Sequence, residues 1–146
     1  MSSEHAQLQI QEALDAFVRD AQAVGVHLSD RSGASLAISG DLFRVDPTRF
    51  AASLAGLLAN AHAVMRPLGR DQVGRLHVAA GPMELLLAQV NPGFSLAVVF
   101  DERTTLGVVR WRLDGLVDRL SGLLGEAGGK RVVAQITDEE IENLFS

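Results

Sequence analysis

Residues 46–68 read DPTRFAASLAGLLANAHAVMRPL and form the most clearly marked helix of the chain. Asp46 is a preferred N-cap residue, and Pro47 suits the first helical position. Arg66 precedes Pro67, and the residue before a proline disfavours helical backbone, so we expect the helix to end there. The large apolar residues share one side of the helical wheel, which predicts a core-facing side of Phe50, Leu54, Leu57, Leu58, Ala61, Val64 and Met65.

The adjoining face of this helix is built from small residues. Alanine recurs at every fourth position and has small neighbours: Ala51, Ala55, Ala59 and Ala63, with Ala52 and Gly56 beside them. Only His62 and Arg66 add bulk to this face. Two interpretations fit the pattern. Alanine favours helices by itself, or the small face lets the backbone of a second chain approach closely.

Composition limits the classes of protein to consider. A chain of 146 residues is the size of one domain, and its 47% hydrophobic content suits a globular fold. It contains no cysteine, which excludes disulfides and thiolate zinc sites. The first residues, MSSEHAQLQIQE, lack the pattern of a signal peptide, and no apolar run approaches the roughly 18 residues of a membrane span. We therefore expect a cytoplasmic protein without a membrane span.

The negative charge is concentrated at the C-terminal end. Val132–Ser146 contains four acidic residues and no basic one, and so accounts for four of the five net negative charges. The remainder of the chain is close to neutral. Neither part carries a basic stripe with interleaved aromatic residues, which argues against a nucleic-acid partner.

The residues around the central helix predict two further helices and five strands. The helices are expected at about Glu4–Ala23 and, capped by Thr104 or Thr105, up to about Glu126. The strands are expected at Val24–Ser29, Ser35–Ser39, Val73–Ala80, Glu84–Val90 and Phe94–Phe100. The last two are apolar on both faces, which is typical of a sheet covered by helices on both sides. This order predicts an α/β protein, a three-layer α/β/α sandwich with a five-stranded antiparallel sheet, in which Val73–Ala80 is an edge strand.

The C-terminal end predicts a separate tail. Gly128 and Gly129 form a loose link, and Thr137–Glu140 matches a helix capping box. Apolar residues follow at helical spacing: Ile141, Leu144 and Phe145. We therefore expect a globular domain at residues 1–129 and a flexible tail with a short amphipathic helix at residues 130–146.

No pattern in the sequence indicates catalysis. The four histidines have no partners at metal-ligand spacing, and the glycines do not form a phosphate-binding loop. Asp101 and Glu102 precede a helix N-terminus, where acidic residues are favoured without any catalytic role. We expect an interaction protein that is not itself an enzyme, with no catalytic residues, no cofactor and no metal.

Two segments resemble a known family. VVFDERTTLGVVRWRL, residues 98–113, resembles the last strand and last helix of the roadblock/dynein light chain family, whose order of elements matches residues 5–126. ITDEEIENLFS, residues 136–146, is similar to the C-terminal end of bacterial cell-polarity members of that family. The resemblance implies the roadblock fold and a homodimer whose sheet continues across both subunits.

The resemblance also implies a partner, a Ras-like bacterial small GTPase of the MglA-like kind that acts in cell polarity or motility. One GTPase would bind one dimer, in the cytoplasm at a cell pole. GTP hydrolysis would be stimulated by repositioning the catalytic residues of the GTPase, so that no arginine finger is needed here. The tail would affect nucleotide exchange.

These expectations assign the candidate site residues. The GTPase-binding residues are expected to be Ala55, Ala59, His62, Ala63, Arg66, Ile141, Leu144 and Phe145. The dimer interface is expected to contain Ala51, Ala52, Gly56, Arg75 and His77, because an uncovered edge strand at Val73–Ala80 would leave backbone groups unpaired.

Two alternative functions remain open. A roadblock scaffold or adaptor would bind a GTPase or another partner without stimulating hydrolysis. A small-ligand sensor on a similar sandwich would need a polar-lined pocket against the sheet. The apolar strands argue against such a pocket, and a sensor has no need of the acidic tail.

Overall fold

A computed structural model describes residues 3–42, 44–70 and 72–126. These residues form three α-helices: α1 (Ser3–Ala21), α2 (Pro47–Met65) and α3 (Leu106–Glu126). They also form five strands: β1 (Gly25–Asp30), β2 (Ser35–Gly40), β3 (Arg75–Ala80), β4 (Met83–Asn91) and β5 (Phe94–Phe100). A short 3-10 turn, Arg66–Leu68, follows α2. The predicted order of elements is confirmed, with boundaries that differ by a few residues.

All five strands belong to one antiparallel sheet, in the order β2-β1-β5-β4-β3. The helices α1 and α3 pack on one face of this sheet, and α2 packs on the other, which confirms the predicted three-layer sandwich. The strand β3 lies at one edge, as its polar sequence predicted. Its residues are mostly exposed, whereas the central strands β1 and β5 are almost entirely buried.

The larger core lies between the sheet and the pair α1 and α3. Leu14 of α1 and Leu113 of α3 are fully buried there, with Leu96 and Phe100 from β5. Each helix contributes apolar residues at a spacing of three or four, so that a single stripe faces the sheet. Thr105 caps α3 through a hydrogen bond from Val108 N to Thr105 Oγ1, 3.2 Å long.

The α2 layer is thinner than the sequence predicted. Asp46 caps the helix as expected, because its side chain accepts hydrogen bonds from the backbone N–H groups of Thr48 and Arg49. Leu54 is the only large apolar side chain of α2 that is fully buried, and it contacts the sheet in a small cluster with Leu87. The predicted core position of Val64 is wrong, since its side chain is 66% exposed.

Gly40 lies at the open end of the β1–β2 hairpin, in a conformation that only glycine adopts easily. Its φ is +92°, and it pairs with Gly25 across the two strands. A Cβ at this position would lie 2.5 Å from the carbonyl oxygen of Val24 and 2.6 Å from the Cα of Gly25. Both neighbours are backbone atoms, so the two strands pass each other here at a distance that excludes any side chain.

One histidine is buried between the sheet and α2. His27 of β1 is 0% exposed, and its ring meets Phe50 edge-on, with 5.3 Å between the ring centroids. His27 Nε2 lies 3.0 Å from Ser35 Oγ, whereas Nδ1 has no hydrogen-bond partner among the described residues. Burial lowers the pKa of His27, because removal from water penalises the charged imidazolium.

Stability is expected to fall on mild acidification because of His27. The unfolded chain binds a proton on this histidine at about pH 6.5, while the folded chain resists protonation until the pH is lower. Between those two values the unfolded state holds more protons, so the free energy of unfolding rises with pH. The slope for one proton is at most about 1.4 kcal/mol per pH unit. Urea denaturation at about pH 5.5 and 7.5 measures this difference.

The control for this prediction is His27→Leu, which keeps the site apolar and removes the titration. Its stability should be less dependent on pH in the same window. The carboxyl groups of Asp15 and Asp101 have lowered pKa values, so their contributions are lost only below the ordinary value of 3.8 and do not overlap. An equal pH dependence in the wild type and in His27→Leu would contradict the assignment.

Candidate interaction surface

The outer side of α2 carries an exposed stripe of small residues. We name the α2 stripe by its four members: Ala52, Gly56, Ala59 and Ala63. They follow one another at spacings of four, three and four, which keeps them on one side of the helix. A Cβ added at Gly56 would meet no atom within 4 Å, so this part of the helix is open. Arg66 is also exposed, at the C-terminal end of the helix.

Other residues of the predicted small face point into the subunit. Ala51 is 0% exposed, and Ala55 is half-buried. A Cβ on Gly33, in the β1–β2 turn, would lie 3.3 Å from Ala55 Cβ and 3.7 Å from Ala51 O. The small side chains thus allow this turn to approach the helix within one chain. The predicted place of Ala51 in a dimer surface is therefore corrected, because its side chain is already buried in its own subunit.

The strand β3 offers backbone groups on its outer edge. It pairs with β4 on one side and has no partner strand on the other among the described residues. Such an edge presents unpaired N–H and C=O groups that another strand can satisfy.

The side chains of Arg75 and His77 do not accompany the α2 stripe. Arg75 Nη2 lies 2.7 Å from Asp114 Oδ1 of α3, on the other face of the sheet. His77 Nε2 lies 2.7 Å from Glu84 Oε1, and its ring stacks on Phe100 with 6.4 Å between centroids. The structure therefore places these two predicted dimer residues on the α1 and α3 side. The backbone edge of β3, in contrast, is accessible from both faces of the sheet.

Sequence reasoning missed an apolar part of this surface. Large hydrophobic side chains are exposed on α2, on the turn after it and on the β3–β4 hairpin: Val64, Leu68, Val78 and Met83. Val78 and Met83 line a groove of about 650 Å³, together with Phe50 at the start of α2. The alternation of side chains along β3 was the available signal, because it places Val78 on the opposite face of the sheet from Arg75 and His77. It does not show that α2 leaves Val78 uncovered.

The remaining predicted site residues differ in position. His62 is half-buried beside a cavity under α2, so it does not belong to the exposed stripe. Ile141, Leu144 and Phe145 lie outside the described residues, as do the predicted tail at residues 130–146 and the end of the predicted domain. Their assignments stay predictions.

The acidic pair before α3 has a structural explanation. Asp101 Oδ1 accepts hydrogen bonds from the backbone N–H of Arg103, at 3.1 Å, and from Arg103 Nε, at 3.0 Å. The hydrogen bond from the Arg103 side chain is the main cause that lowers the pKa of Asp101. This carboxylate is held within its own turn. In the described part of the chain, no group of three or more His, Asp or Glu side chains is arranged to hold a metal ion.

None of the helices within residues 3–42, 44–70 and 72–126 has the length and hydrophobicity required to cross a membrane.

Most of the chain is similar to known proteins. Residues 9–100 match the Roadblock/LC7 domain family. No curated protein gave a match. MglB from Myxococcus xanthus is 27% identical, with a TM-score of 0.79 and coverage of 82% of this chain and 90% of that one.

Two further solved structures are similar. An MglB with a tetrameric arrangement is 25% identical, with a TM-score of 0.76 and coverage of 84% of this chain and 92% of that one. The gliding protein MglB from Thermus thermophilus shares the fold at 23% identity, with a TM-score of 0.73 and coverage of 86% and 93%. The family resemblance noted in the sequence is thereby confirmed, and the family match over residues 9–100 does not include the tail.

Proposed function

Because this chain belongs to the Roadblock/LC7 domain family, we propose that it is a homodimeric, non-catalytic regulator of a Ras-like small GTPase. The similarity to MglB supports an MglA-like partner and a role in bacterial cell polarity or motility. The observation that carries this proposal is that one subunit has two uncovered features, the α2 stripe and the free edge of β3. Both features are consistent with a subunit that other chains complete.

The proposed dimer uses both features at once. Two copies of β3 that pair through their free edges would continue the sheet from one subunit into the other, and satisfy backbone groups that otherwise require water. The exposed apolar side chains Val78 and Met83 lie on the α2 side of the sheet near this edge, where the α2 helix of the second subunit would remove them from water. The two α2 helices would meet over Ala52 and Gly56, the N-terminal members of the stripe, where backbones can come close.

The GTPase is proposed to bind the dimer at the C-terminal half of α2, which carries Ala59, Ala63 and Arg66. It would be activated by repositioning of its own catalytic residues. The proposed division of the chain is a domain at residues 1–129 and a tail at residues 130–146. The tail would supply a second contact and affect nucleotide exchange.

Single-turnover GTP hydrolysis with an MglA-like GTPase tests this function. The wild-type chain should accelerate hydrolysis by at least about tenfold, a change of about 1.4 kcal/mol in the barrier. Ala63→Arg should remove most of this stimulation, because its side chain is exposed and the added charge and bulk would enter the contact. Unchanged circular dichroism would show that the subunit is still folded.

The matched control is Gly122→Arg, which adds the same side chain at an exposed, open position on α3. It should stimulate hydrolysis like the wild type. Binding of the GTPase without stimulation would replace the activator with the scaffold or adaptor function. Full stimulation by Ala63→Arg would show that the contact lies elsewhere.

A further inference from the structure

A cavity of about 290 Å³ lies between α2 and the end of the sheet at which β1 and β4 finish. Leu58, Ala59 and His62 bound it on the helix side. Arg31 from the β1–β2 turn and Gln72 from the segment before β3 lie at its sides. At roughly 30 Å³ for each water molecule of the liquid, the space corresponds to about ten waters, which suits a small metabolite better than a nucleotide.

The sheet contributes a polar row to this cavity. Ser29 of β1, Ser95 of β5 and Gln89 of β4 are in register across three neighbouring strands, and all three line the cavity. This contradicts the expectation that apolar strands leave no polar pocket against the sheet. The expectation was wrong because each strand carries only one of the three residues, and the row exists only once the strands are paired.

The two serines of the row are mostly buried, and both line the cavity. Ser29 is 4% exposed and Ser95 is 8% exposed, and neither hydroxyl is hydrogen-bonded to another described residue. His62 Nε2 is also shielded from solvent without a hydrogen-bond partner in that same part of the chain. Burial of the His62 nitrogen without a partner is unfavourable. A packed helix–sheet contact would be expected to place apolar residues here, so the row indicates a polar occupant.

Of the residues that the structure describes, Arg31 supplies the one positively charged side chain that lines the cavity, and it can bind an anionic group. Arg31 forms no ion pair with any described residue. Asp30 also borders the cavity, but its Oδ1 accepts hydrogen bonds from Ser32 N, Ser32 Oγ and Ala34 N, at 2.7–3.0 Å. These three donors hold the Asp30 carboxylate in its own turn. The guanidinium of Arg31 is therefore the group left to bind a ligand, and its fork of donors suits a carboxylate or a phosphate.

We propose that this cavity binds a small organic anion that carries hydroxyl groups. Its carboxylate or phosphate contacts Arg31, and its hydroxyl groups bond to Ser29, Ser95 and Gln89. This site goes beyond the proposed regulation of a GTPase and does not depend on it, because every lining residue comes from one subunit. Its chemistry is that of a small-ligand sensor on the face of the sheet that also carries the α2 stripe.

Titration of the isotope-labelled full chain tests the proposal. Citrate and glycerol 3-phosphate are the two anionic probes, and glycerol is the neutral one, all at constant ionic strength. At least one anion should produce saturable shifts of the backbone amides of Arg31, Gln89 and Ser95, with a Kd of about 1 mM or below. The stronger anion distinguishes a carboxylate site from a phosphate site. Equal binding of glycerol would overturn the role of charge and hence the proposal.

Two variants and one control complete this test. Arg31→Gln should raise the Kd at least about tenfold. Ser95→Ala should raise it about fivefold without loss of thermal stability, since it removes a buried hydroxyl that lacks a protein partner. Arg110→Gln, at an exposed site on α3, should leave the Kd within about twofold of the wild type. The proposal is overturned if neither anion gives saturable shifts up to about 10 mM, or if Arg31→Gln binds like the wild type.

Discussion

Gly56→Arg should leave the subunit folded and prevent its self-association. A side chain at this position enters open space, because a Cβ there meets no atom within 4 Å. The helix itself should gain, since glycine is less favourable than ordinary residues inside a helix by up to about 1 kcal/mol. In the proposed dimer, however, the arginine would lie where two small-residue stripes meet. Its charge would then be buried without a partner.

The expected effect is at least about a 100-fold weaker dimer, or about 2.7 kcal/mol. Light scattering at micromolar concentrations measures the self-association directly. The wild type should have about twice the chain mass of 15.6 kDa, and Gly56→Arg should have the mass of a single chain. Circular dichroism and thermal melting follow the fold of the variant in parallel.

The control used for hydrolysis also serves for self-association. Gly122→Arg places arginine at an exposed helical glycine with an equally open environment, but on the opposite side of the sheet. It should remain a dimer. A dimeric Gly56→Arg protein would place the contact between subunits away from the α2 stripe. A monomeric wild type would remove the basis for the proposed homodimer altogether.

Gly40→Ala should destabilise the chain strongly, because the added methyl group has no space. The new Cβ would lie 2.5 Å from Val24 O and 2.6 Å from Gly25 Cα, distances at which backbone atoms have to move apart. The positive φ of +92° adds strain of about 1–2 kcal/mol for any residue with a Cβ. With the displacement of a paired strand included, we expect a loss of at least about 3 kcal/mol in the free energy of unfolding.

Gly81→Ala separates the two contributions. Gly81 also has a positive φ, of +62°, but a Cβ there meets no atom within 4 Å. This variant should therefore lose only the conformational part, about 1–2 kcal/mol. Urea denaturation of both variants gives the difference between them. Equal losses would mean that the hairpin end relaxes around Gly40 without cost, contrary to the close approach of its two strands.

Local patterns in the chain were sufficient to predict the elements. Asp46 and Pro47 mark the start of α2, and the alternating and apolar segments mark all five strands, because capping and side-chain periodicity depend on neighbours within one or two turns. The layer arrangement also followed, since a strand such as Phe94–Phe100 that is apolar on both faces needs cover on both sides. The exposed residues of the α2 stripe were among those chosen for an interface.

The tertiary structure decided how each face is used. Ala51, predicted at an interface, is buried in its own subunit, and Val64, predicted in the core, is exposed. The orientation of α2 on the sheet and the approach of Gly33 to the helix decide this, and both depend on contacts between residues distant in sequence. The polar row of Ser29, Ser95 and Gln89 required the register of three strands that are separated along the chain. Periodicity shows which side chains share a face of their own element, but only packing between elements shows whether that face meets the core, a cavity or another chain.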